Sequence, residues 1–277
     1  MLSQQEKYKY LQEVVISDFM PLVEQKIFSV IYDYDCKIAI CTNYSAQSIA
    51  MESWKDAVGI SFKDQHRSDL GAKIFGSKYT GAFVEFIHHY IEKIYQLQLS
   101  IFRNKNVVNF IDLLPYNDQF IAYLITYVPI FHPRGEVIGI QSFATSIPFF
   151  SHHDYLQNIL GYNKQTEISK TAVKLTNREH EILFLLANLI PPEQMTQILG
   201  ISRSTIANII AKQLSKKFGL AGSNSKLLTQ LAIEQGYHKL IPESLSKPYI
   251  IILDEQLAKE INLDKKKPLK KEALTCY

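Results

Sequence analysis

The residues with the clearest chemical use lie on one side of a single helix, STIANIIAKQLSKKFG, in the C-terminal half of the chain. At about 100° per residue, its apolar side holds Ile206, Ile209, Ile210 and Leu214. The opposite side holds Ser204, Thr205, Asn208, Lys212, Ser215 and Lys216, and no acidic residue occurs between Ser202 and Gly222. Short hydroxyls, an amide and lysines suit base edges and phosphates. This side therefore predicts a helix that enters the major groove of DNA, with a solvated face of a structural helix as the alternative.

Two further helices are predicted directly before this one. In LTNREHEILFLLAN, Thr176 caps the first turn and Glu179 completes a capping box. Pro191–Pro192 end that helix and start a shorter one, EQMTQILG; Gly200 then supplies a tight turn, and Ser202 caps the third helix. The side chains predicted to be buried are those of Ile182, Leu183, Leu186, Leu189, Met195, Ile198 and Leu199.

The run LTNREHEILFLLAN…MTQILGISRSTIANII…KKFGL resembles the C-terminal helix-turn-helix of LuxR-type transcription regulators. The matching features are the LT-x-RE-x-E-[IV]-L opening, I-S-x-x-T-[IV] before the third helix and K-[LF]-G-[VL] after it. The resemblance implies a four-helix domain whose third helix reads DNA and whose fourth, here SKLLTQLA, commonly mediates dimer contacts. Three features depart from it: Ala207 replaces a frequent basic residue, Ile209 replaces the usual His, and the spacing from Thr205 to Lys-Phe-Gly is one residue longer.

The residues predicted to contact DNA are Ser202, Arg203, Ser204, Thr205, Asn208, Lys212 and Lys216. Asn208 lies mid-helix, opposite the isoleucines, and an amide can bond adenine N6 and N7 together, so it is the predicted base reader. Lys212 and Lys216 are predicted to contact backbone phosphates. Arg203, at the helix entrance, suits either role.

The N-terminal half has a different periodicity. Residues 4–26 show the three- and four-residue apolar spacing of a helix. From Ile27 onward the chain predicts two strands, short helices, a longer helix over 83–102 and three more strands, with a hairpin at Pro133–Arg134–Gly135. This order predicts an antiparallel sheet with helices, not alternating βαβ units.

Residues 27–147 resemble a PAS domain in the order of these elements. IYDYDCKIAICTNYSAQSIA resembles its first hairpin and helix, DAVGISFKD its V-G-x-[ST]-x-x-D turn, and VPIFHPRGEVIGIQSFATSI its closing hairpin. The resemblance implies a curved sheet that often encloses a small ligand or pairs with another copy, and helix 4–26 resembles a dimerising cap. The apolar stripe of that helix, which includes Leu11, Val15 and Phe19, needs a cover and predicts a homodimer.

A ligand pocket is the second candidate site. Aromatic side chains suited to line it are those of Tyr44, Trp54, Tyr123 and Tyr127, with a plain aromatic core as the alternative. A small-molecule effector in the PAS-like domain is predicted, and no cofactor beyond it.

His88 and His89 offer a haem or metal site, because Glu85 and Glu92 lie four residues from His89 and His88. A hydrogen-bonded surface helix is the favoured explanation, so no metal site is predicted. The cysteines provide no even disulfide framework, and Cys36 and Cys41 are predicted to be small core residues. No known catalytic motif occurs, so no enzyme activity is predicted.

The net charge of +3 over 277 residues is unevenly divided. Residues 1–169 carry 14 Lys/Arg and 17 Asp/Glu, whereas residues 170–277 carry 16 and 10, so the second part is the one expected to contact a polyanion. With 47% hydrophobic residues, the composition excludes a disordered or collagen-like chain. The first residues lack the apolar block of a signal peptide and no apolar run is long enough to cross a bilayer, which predicts a soluble, cytoplasmic protein.

The predicted fold class is α+β: an N-terminal PAS-like antiparallel sheet with helices, and a C-terminal all-α four-helix helix-turn-helix domain. The predicted segments are an amphipathic helix (1–26), the PAS-like domain (27–150), a linker (151–173), the DNA-binding domain (174–245) and an extension with a lysine-rich tail (246–277). The predicted function is a sequence-specific transcription regulator that binds double-stranded DNA as a homodimer and senses a small ligand or dimerises through the PAS-like domain, without a membrane partner. Two alternatives stay open: a helix-turn-helix that binds protein, and a haem or metal redox sensor.

Overall fold

The computed structural model describes residues 2–62, 68–76, 79–116, 119–147, 149–150, 173–220, 224–245 and 247–264. The predicted linker, apart from its last residue, and the lysine-rich tail lie outside these ranges. Contacts divide the chain into two units. The first comprises residues 1–112, 123–145 and 252–277, and the second comprises residues 113–122 and 146–251.

The chain up to residue 147 alternates between short helices and strands. Helix α1 (Gln4–Tyr10) continues as a π-helix (Leu11–Ile16), α2 (Ser17–Phe19) and a 3₁₀ turn (Met20–Leu22). The remaining helices are α3 (Asn43–Ser48), α4 (Trp54–Ala57), α5 (Ser68–Phe75) and α6 (Ala82–Asn104). The strands are β1 (Phe28–Asp33), β2 (Ile38–Cys41), β3 (Val108–Tyr116), β4 (Gln119–Phe131) and β5 (Val137–Ile147).

From residue 173 the described chain is mainly helical. It forms α7 (Asn177–Ala187), α8 (Pro192–Leu199), α9 (Arg203–Ile209), a π-helix (Ile210–Leu214), α10 (Ser215–Lys217) and α11 (Ser225–Glu234). We call the continuous stretch 203–217 the recognition helix. Two 3₁₀ turns (Tyr237–Lys239 and Glu243–Leu245) lead to β6 (Tyr249–Ile252) and α12 (Glu255–Asp264).

The sheet has the strand order β2-β1-β5-β4-β3-β6. Strand β1 pairs antiparallel with both β2 and β5, so that Val30 faces Cys41 and Tyr32 faces Ile140. At the turn before β5, the backbone N–H of Gly135 donates to the carbonyl of His132 at 2.8 Å, and Gly135 has a φ of +81°. The predicted antiparallel sheet and its closing hairpin are therefore confirmed.

Strand β1 separates two apolar layers, because successive side chains of a strand point to opposite faces. Ile31 faces the N-terminal helix and joins a buried cluster of Leu11, Phe19, Val23, Ile31 and Ile40. Tyr32 faces the other side, where its ring packs against Tyr127 at 6.1 Å between centroids. The sheet is thus covered on one face by the π-helix Leu11–Ile16 and α2 and lined by aromatic rings on the other.

The apolar stripe of the N-terminal helix does not require a second copy, so the argument for a homodimer that rests on it is wrong. Leu11 and Phe19, two residues of the predicted stripe, are each only 2% exposed and pack on Ile31 and Ile40 of the same chain. The stripe is therefore covered without a second copy. The homodimer itself stays a prediction, and the exposed apolar side chains of this helix lie on its other side: Tyr8, Val14 and Met20.

The predicted core of the second unit is largely confirmed, with one clear error. Ile182, Leu183 and Met195 are fully buried, whereas Leu199 and Ile209 are only partly buried. Leu189 is 57% exposed because α7 ends at Ala187 and Leu189 then adopts a φ of +59°. The predicted helix extends to Leu189, two residues past the observed end of α7.

Cys36 and Cys41 are both buried, which confirms their prediction as core residues. Among the described residues, no helix combines the length and hydropathy needed to cross a membrane.

Replacing Leu11 with Ala should destabilise the first unit by about 2–5 kcal/mol, because it leaves a cavity in the cluster under the sheet. Trp54 is the only tryptophan of the chain and packs on this cluster, so its fluorescence in a urea titration reports this unit. Val14→Ala, on the exposed side of the same helix, should cost less than about 0.5 kcal/mol. Equal losses for the two variants would show that α1 and the sheet do not share a core.

Candidate functional site

The N-terminus of the recognition helix gathers three of the residues predicted to contact DNA. Ser202 is the N-cap: its Oγ accepts the backbone N–H of Thr205 at 3.1 Å. The same Oγ lies 2.8 Å from the hydroxyls of both Ser204 and Thr205. All three residues are exposed. The cap therefore presents a compact hydroxyl cluster next to the free backbone N–H groups of the first helical turn, where anions bind favourably.

A π-helical stretch at Ile210–Leu214 interrupts the recognition helix. In an α-helix, side chains four residues apart drift by about 40° around the axis. The wider π-turn reduces this drift, and π-turns often mark functional sites. Ile206, Ile210 and Leu214 accordingly stay buried, while Asn208, Lys212 and Lys216 stay exposed.

Ser215 was predicted to lie on the exposed side, and this prediction is wrong. It is only 1% exposed, and its Oγ has no hydrogen-bond partner among the described residues. The prediction assumed a regular α-helix throughout. The π-turn changes the rotation of every later residue, and it turns Ser215 inward.

The four cations of the recognition helix have different environments. Arg203 is 2.7 Å from Glu193 of α8, in an exposed ion pair. Lys217 is bound to the buried carboxylate of Glu179 at 2.6 Å. Lys212 and Lys216 are exposed and have no ion-pair partner within the described ranges. These two lysines are therefore the ones available to phosphate, as their predicted role requires.

Glu179 joins the two ends of this module. Its carboxylate accepts the backbone N–H of Thr176 at 2.7 Å, and the Thr176 hydroxyl accepts the backbone N–H of Glu179, so the predicted capping box is present. Lys217, at the far end of the recognition helix, donates to the same carboxylate and to the carbonyl of Lys174. Burial by itself would raise the pKa of Glu179, but the hydrogen bonds from Lys217 and Thr176 outweigh it and lower that pKa.

A buried carboxyl group marks the aromatic face of the sheet in the first unit. The hydroxyl of Tyr90 on α6 donates to Asp112 Oδ2 on β3 at 2.7 Å, while Asp112 Oδ1 has no partner among the described residues. Burial raises the pKa of Asp112 to about 7, and the hydrogen bond from Tyr90 lowers it only in part. A buried carboxyl with one oxygen unpaired among the described residues is therefore a candidate binding group.

The structure brings together only some of the residues predicted to line a pocket. Tyr127 is buried between Tyr32 and Phe110, at 6.1 and 5.1 Å between ring centroids. Tyr44 and Tyr123 both pack on Phe28, which shares the face of Tyr32 on β1. Trp54 packs instead on the cluster under the other face of the sheet. Three of the four aromatic residues thus line the Asp112 face, and Trp54 does not.

The remaining candidate groups are placed as follows. His88 and His89 lie on α6, as predicted, and Glu92 accepts a hydrogen bond from Gln96 at 2.7 Å. No group of three or more His, Cys, Asp or Glu side chains within the described part of the chain is arranged to hold a metal ion.

An open cleft of about 330 Å³ lies between α1 and the β1–β2 turn, away from Asp112. Lys7 borders it, already paired with Glu136 at 3.2 Å.

No protein-family model and no curated protein matches the sequence. Among solved structures, the phage VqmA–DPO complex matches 89% of this chain and 99% of its own, with a TM-score of 0.51 and 17% identity. The VqmA–ligand–DNA complex of Vibrio cholerae covers 88% and 97%, with a TM-score of 0.44 and 18% identity. The PAS domain of Bordetella pertussis BvgS covers 53% and 97%, with a TM-score of 0.36 and 12% identity.

The chain has the fold of phage VqmA. The likeness extends over both units, so it is not confined to a single domain. Together with the observed elements, it confirms the predicted fold class, a PAS-like antiparallel sheet with helices followed by a helical helix-turn-helix domain.

Sequence reasoning missed the Asp112–Tyr90 pair, the Glu179–Lys217 pair and the π-turn. Asp112 is the only charged residue in the apolar run VVNFIDLLP, a visible signal for a buried group with a specific partner. The π-turn also left a trace, the one extra residue between Thr205 and Lys-Phe-Gly. The partner of Glu179 left none, because Lys217 lies 38 residues away in the sequence.

Replacing Glu179 with Gln should destabilise the second unit by about 2–4 kcal/mol, because Lys217 and the cap lose a partly buried partner. Faster exchange of the α7 amides in a hydrogen-exchange experiment measures this loss. The pKa of Glu179 is lowered on folding, so its contribution is present above the ordinary Glu pKa and is lost as the pH falls. Glu193→Gln, which breaks an exposed pair, should cost less than about 1 kcal/mol. A double variant with Lys217→Met that is strictly additive would show that the pair does not act as a unit.

Asp112 should make the first unit less stable as the pH rises. Its folded-state pKa is raised to about 7, so its contribution is fully present below about pH 4 and is lost as the pH rises through about 7. Asp112→Asn, which stays neutral, should remove this decline in the free energy of unfolding followed by Trp54 fluorescence. Asp35→Asn, at an exposed turn, should keep it. Parallel pH curves for the wild type and Asp112→Asn would mean that Asp112 is already ionised in the folded protein.

Proposed function

We propose that the protein is a sequence-specific DNA-binding transcription regulator whose PAS-like unit takes up a small ligand. The observation that carries the first part is the row Asn208–Lys212–Lys216, which is exposed directly opposite the buried row Ile206–Ile210–Leu214. An amide and two unpaired lysines along one side of a capped helix suit one base contact and two phosphate contacts.

The electrostatics of this helix support duplex DNA as the partner. Between Ser202 and Gly222 there is no acidic side chain, and the one carboxylate bound to the helix from the core, that of Glu179, is neutralised by Lys217. At the start of the helix Arg203 is paired with Glu193, so the positive charge without an ion-pair partner among the described residues lies on Lys212 and Lys216. A positive surface next to helix N–H groups attracts phosphate over a distance and holds it at contact.

A small ligand in the first unit is proposed on the Asp112 site. The aromatic rings of Tyr32, Phe110 and Tyr127 provide an apolar wall, and Asp112 Oδ1 provides one unused acceptor or, when protonated, a donor. Phage VqmA, whose fold the chain shares, was solved in complex with DPO. Mass spectrometry of the purified protein under native conditions tests for a bound molecule, which Asp112→Asn should release.

The regulator is proposed to act as a homodimer, with the ligand changing how two recognition helices are spaced on DNA. A helix-turn-helix that binds protein is the competing function. Steep salt dependence of duplex binding separates the two, because only phosphate contact releases counterions. Absence of binding to any duplex at low salt would favour the protein-binding function.

Asn208→Ala should cost about 1–3 kcal/mol of affinity for the preferred duplex and relax the preference at one base pair. Lys212→Ala should weaken all duplexes alike and reduce the slope of log affinity against log salt by about one. Selection from a random duplex pool measures preference, and titrations at several salt concentrations measure the slope. Lys226→Ala removes an exposed lysine from α11 and is the charge-matched control.

One result would contradict the roles assigned to Asn208 and Lys212. If Asn208→Ala leaves affinity and preference unchanged while Lys212→Ala abolishes preference at one base pair, the two residues exchange their proposed roles. A slope that falls equally for Lys226→Ala would show that α11 also contacts the phosphates.

A further inference from the structure

The chain continues past the helix-turn-helix module into a segment that we call the return segment, residues 243–264. It contains the 3₁₀ turn Glu243–Leu245, strand β6 and helix α12. Contacts assign this segment to the second unit up to Ile251 and to the first unit from Ile252 onward. The chain therefore passes back to the first unit after the DNA-binding helices are complete.

The start of the return segment is anchored on α7. The hydroxyl of Ser244 donates to Glu181 Oε1 at 2.6 Å. Glu181 is buried, and its other carboxylate oxygen lies 2.8 Å from Arg178. Glu181 follows Glu179 by two residues, so the same helix carries the anchor of the return segment and the partner of Lys217 at the end of the recognition helix.

The end of the return segment is anchored on β3 and α6. The backbone N–H of Leu253 donates to the carbonyl of Asn109 on β3 at 3.2 Å. Helix α12 packs against α6 and buries Leu257, Ala258 and Ile261. Strand β3 also carries Asp112, and α6 carries its partner Tyr90. The return segment therefore holds the two elements that position the candidate ligand-binding carboxyl.

The return segment is one of four places where the chain passes between the units, which also occur within β3, within β4 and at the end of β5. Eight residues lie between Ser244 and Leu253, and the nine steps span at most about 30 Å when fully extended. The predicted linker 151–173 could span about 80 Å at the same rise per residue. The return segment is short and anchored at both ends, on Glu181 of α7 and on Asn109 of β3, which leaves it little slack.

We propose that the return segment couples the ligand-binding state of the PAS-like unit to the recognition helix. A ligand that changes the Asp112–Tyr90 contact shifts β3 and α6, and with them the end of the return segment. The pull acts on Ser244 and Glu181, and thus on the helix that holds Lys217. This is a coupling of two sites through hydrogen-bonded and packed elements, and it rests on the proposed ligand site and DNA-binding role.

Hydrogen exchange of the full chain tests the coupling without ligand or DNA. Tyr90→Phe removes only the hydroxyl that binds Asp112. We expect it to change amide exchange in β3, in β6 and in α7 by about threefold or more. When Ser244→Ala is added, the change in α7 should disappear while the change in β3 and β6 remains. Ser225→Ala, an exposed serine on α11, is the matched control and should preserve the change in α7.

Two results would overturn the proposal: an α7 that does not respond to Tyr90→Phe or to the stronger Asp112→Asn, or a response that survives Ser244→Ala. Glu181→Gln provides a second way to weaken the anchor if Ser244→Ala loosens the fold. Duplex binding is measured separately on the same variants. If the wild-type protein binds no duplex, the proposed DNA-binding function is wrong. The coupling is still tested in that case, because the exchange experiment does not depend on DNA.

Discussion

The carboxylate of Glu179 is the contact on which the helix-turn-helix module depends. It caps α7 through Thr176 and binds Lys217 at the end of the recognition helix, while it is only 2% exposed. A buried charge of this kind is tolerated only when its partners are present, because desolvation costs several kcal/mol otherwise. One side chain therefore determines where the first helix begins and how the third helix is held against it. The Glu179–Lys217 pair therefore also helps to fix the orientation of the exposed row Asn208–Lys212–Lys216.

In the first unit, the core depends on the alternation of side chains along β1 between the two faces of the sheet. Ile31 and Tyr32 are neighbours in sequence, yet one closes the cluster under α1 and the other faces Tyr127. Because the strand period is two, neither layer can shift by a residue without exposing both. Asp112 lies on the aromatic side of this sheet, where burial raises its pKa and Tyr90 donates the one hydrogen bond that it accepts among the described residues. The proposed ligand site rests on this carboxyl group.

What the sequence predicted correctly is local. Capping boxes, strand alternation and the Pro-Arg-Gly hairpin all depend on residues a few positions apart, so the order of elements and the fold class followed from them. The errors involve partners distant in sequence. Leu11 is covered by Ile31 and Ile40, and Asp112 meets Tyr90 across the interior. Neither pairing leaves a periodic signal. The predicted pocket was divided for the same reason, since Trp54 packs on the opposite side of the sheet from Tyr127.

The π-turn of the recognition helix affects both its buried and its exposed residues. Its buried residues Ile206, Ile210 and Leu214 are spaced by four, and so are Asn208, Lys212 and Lys216. Two such steps along a regular α-helix rotate a side chain by about 80°, which sets Ile206 and Leu214 near opposite edges of an apolar stripe about 100° wide. The π-turn reduces this rotation, and Leu214 is fully buried. The polar row, with the same spacing, is aligned by the same turn. The one residue that the π-turn removes from the exposed side predicted for a regular helix is Ser215, which is only 1% exposed.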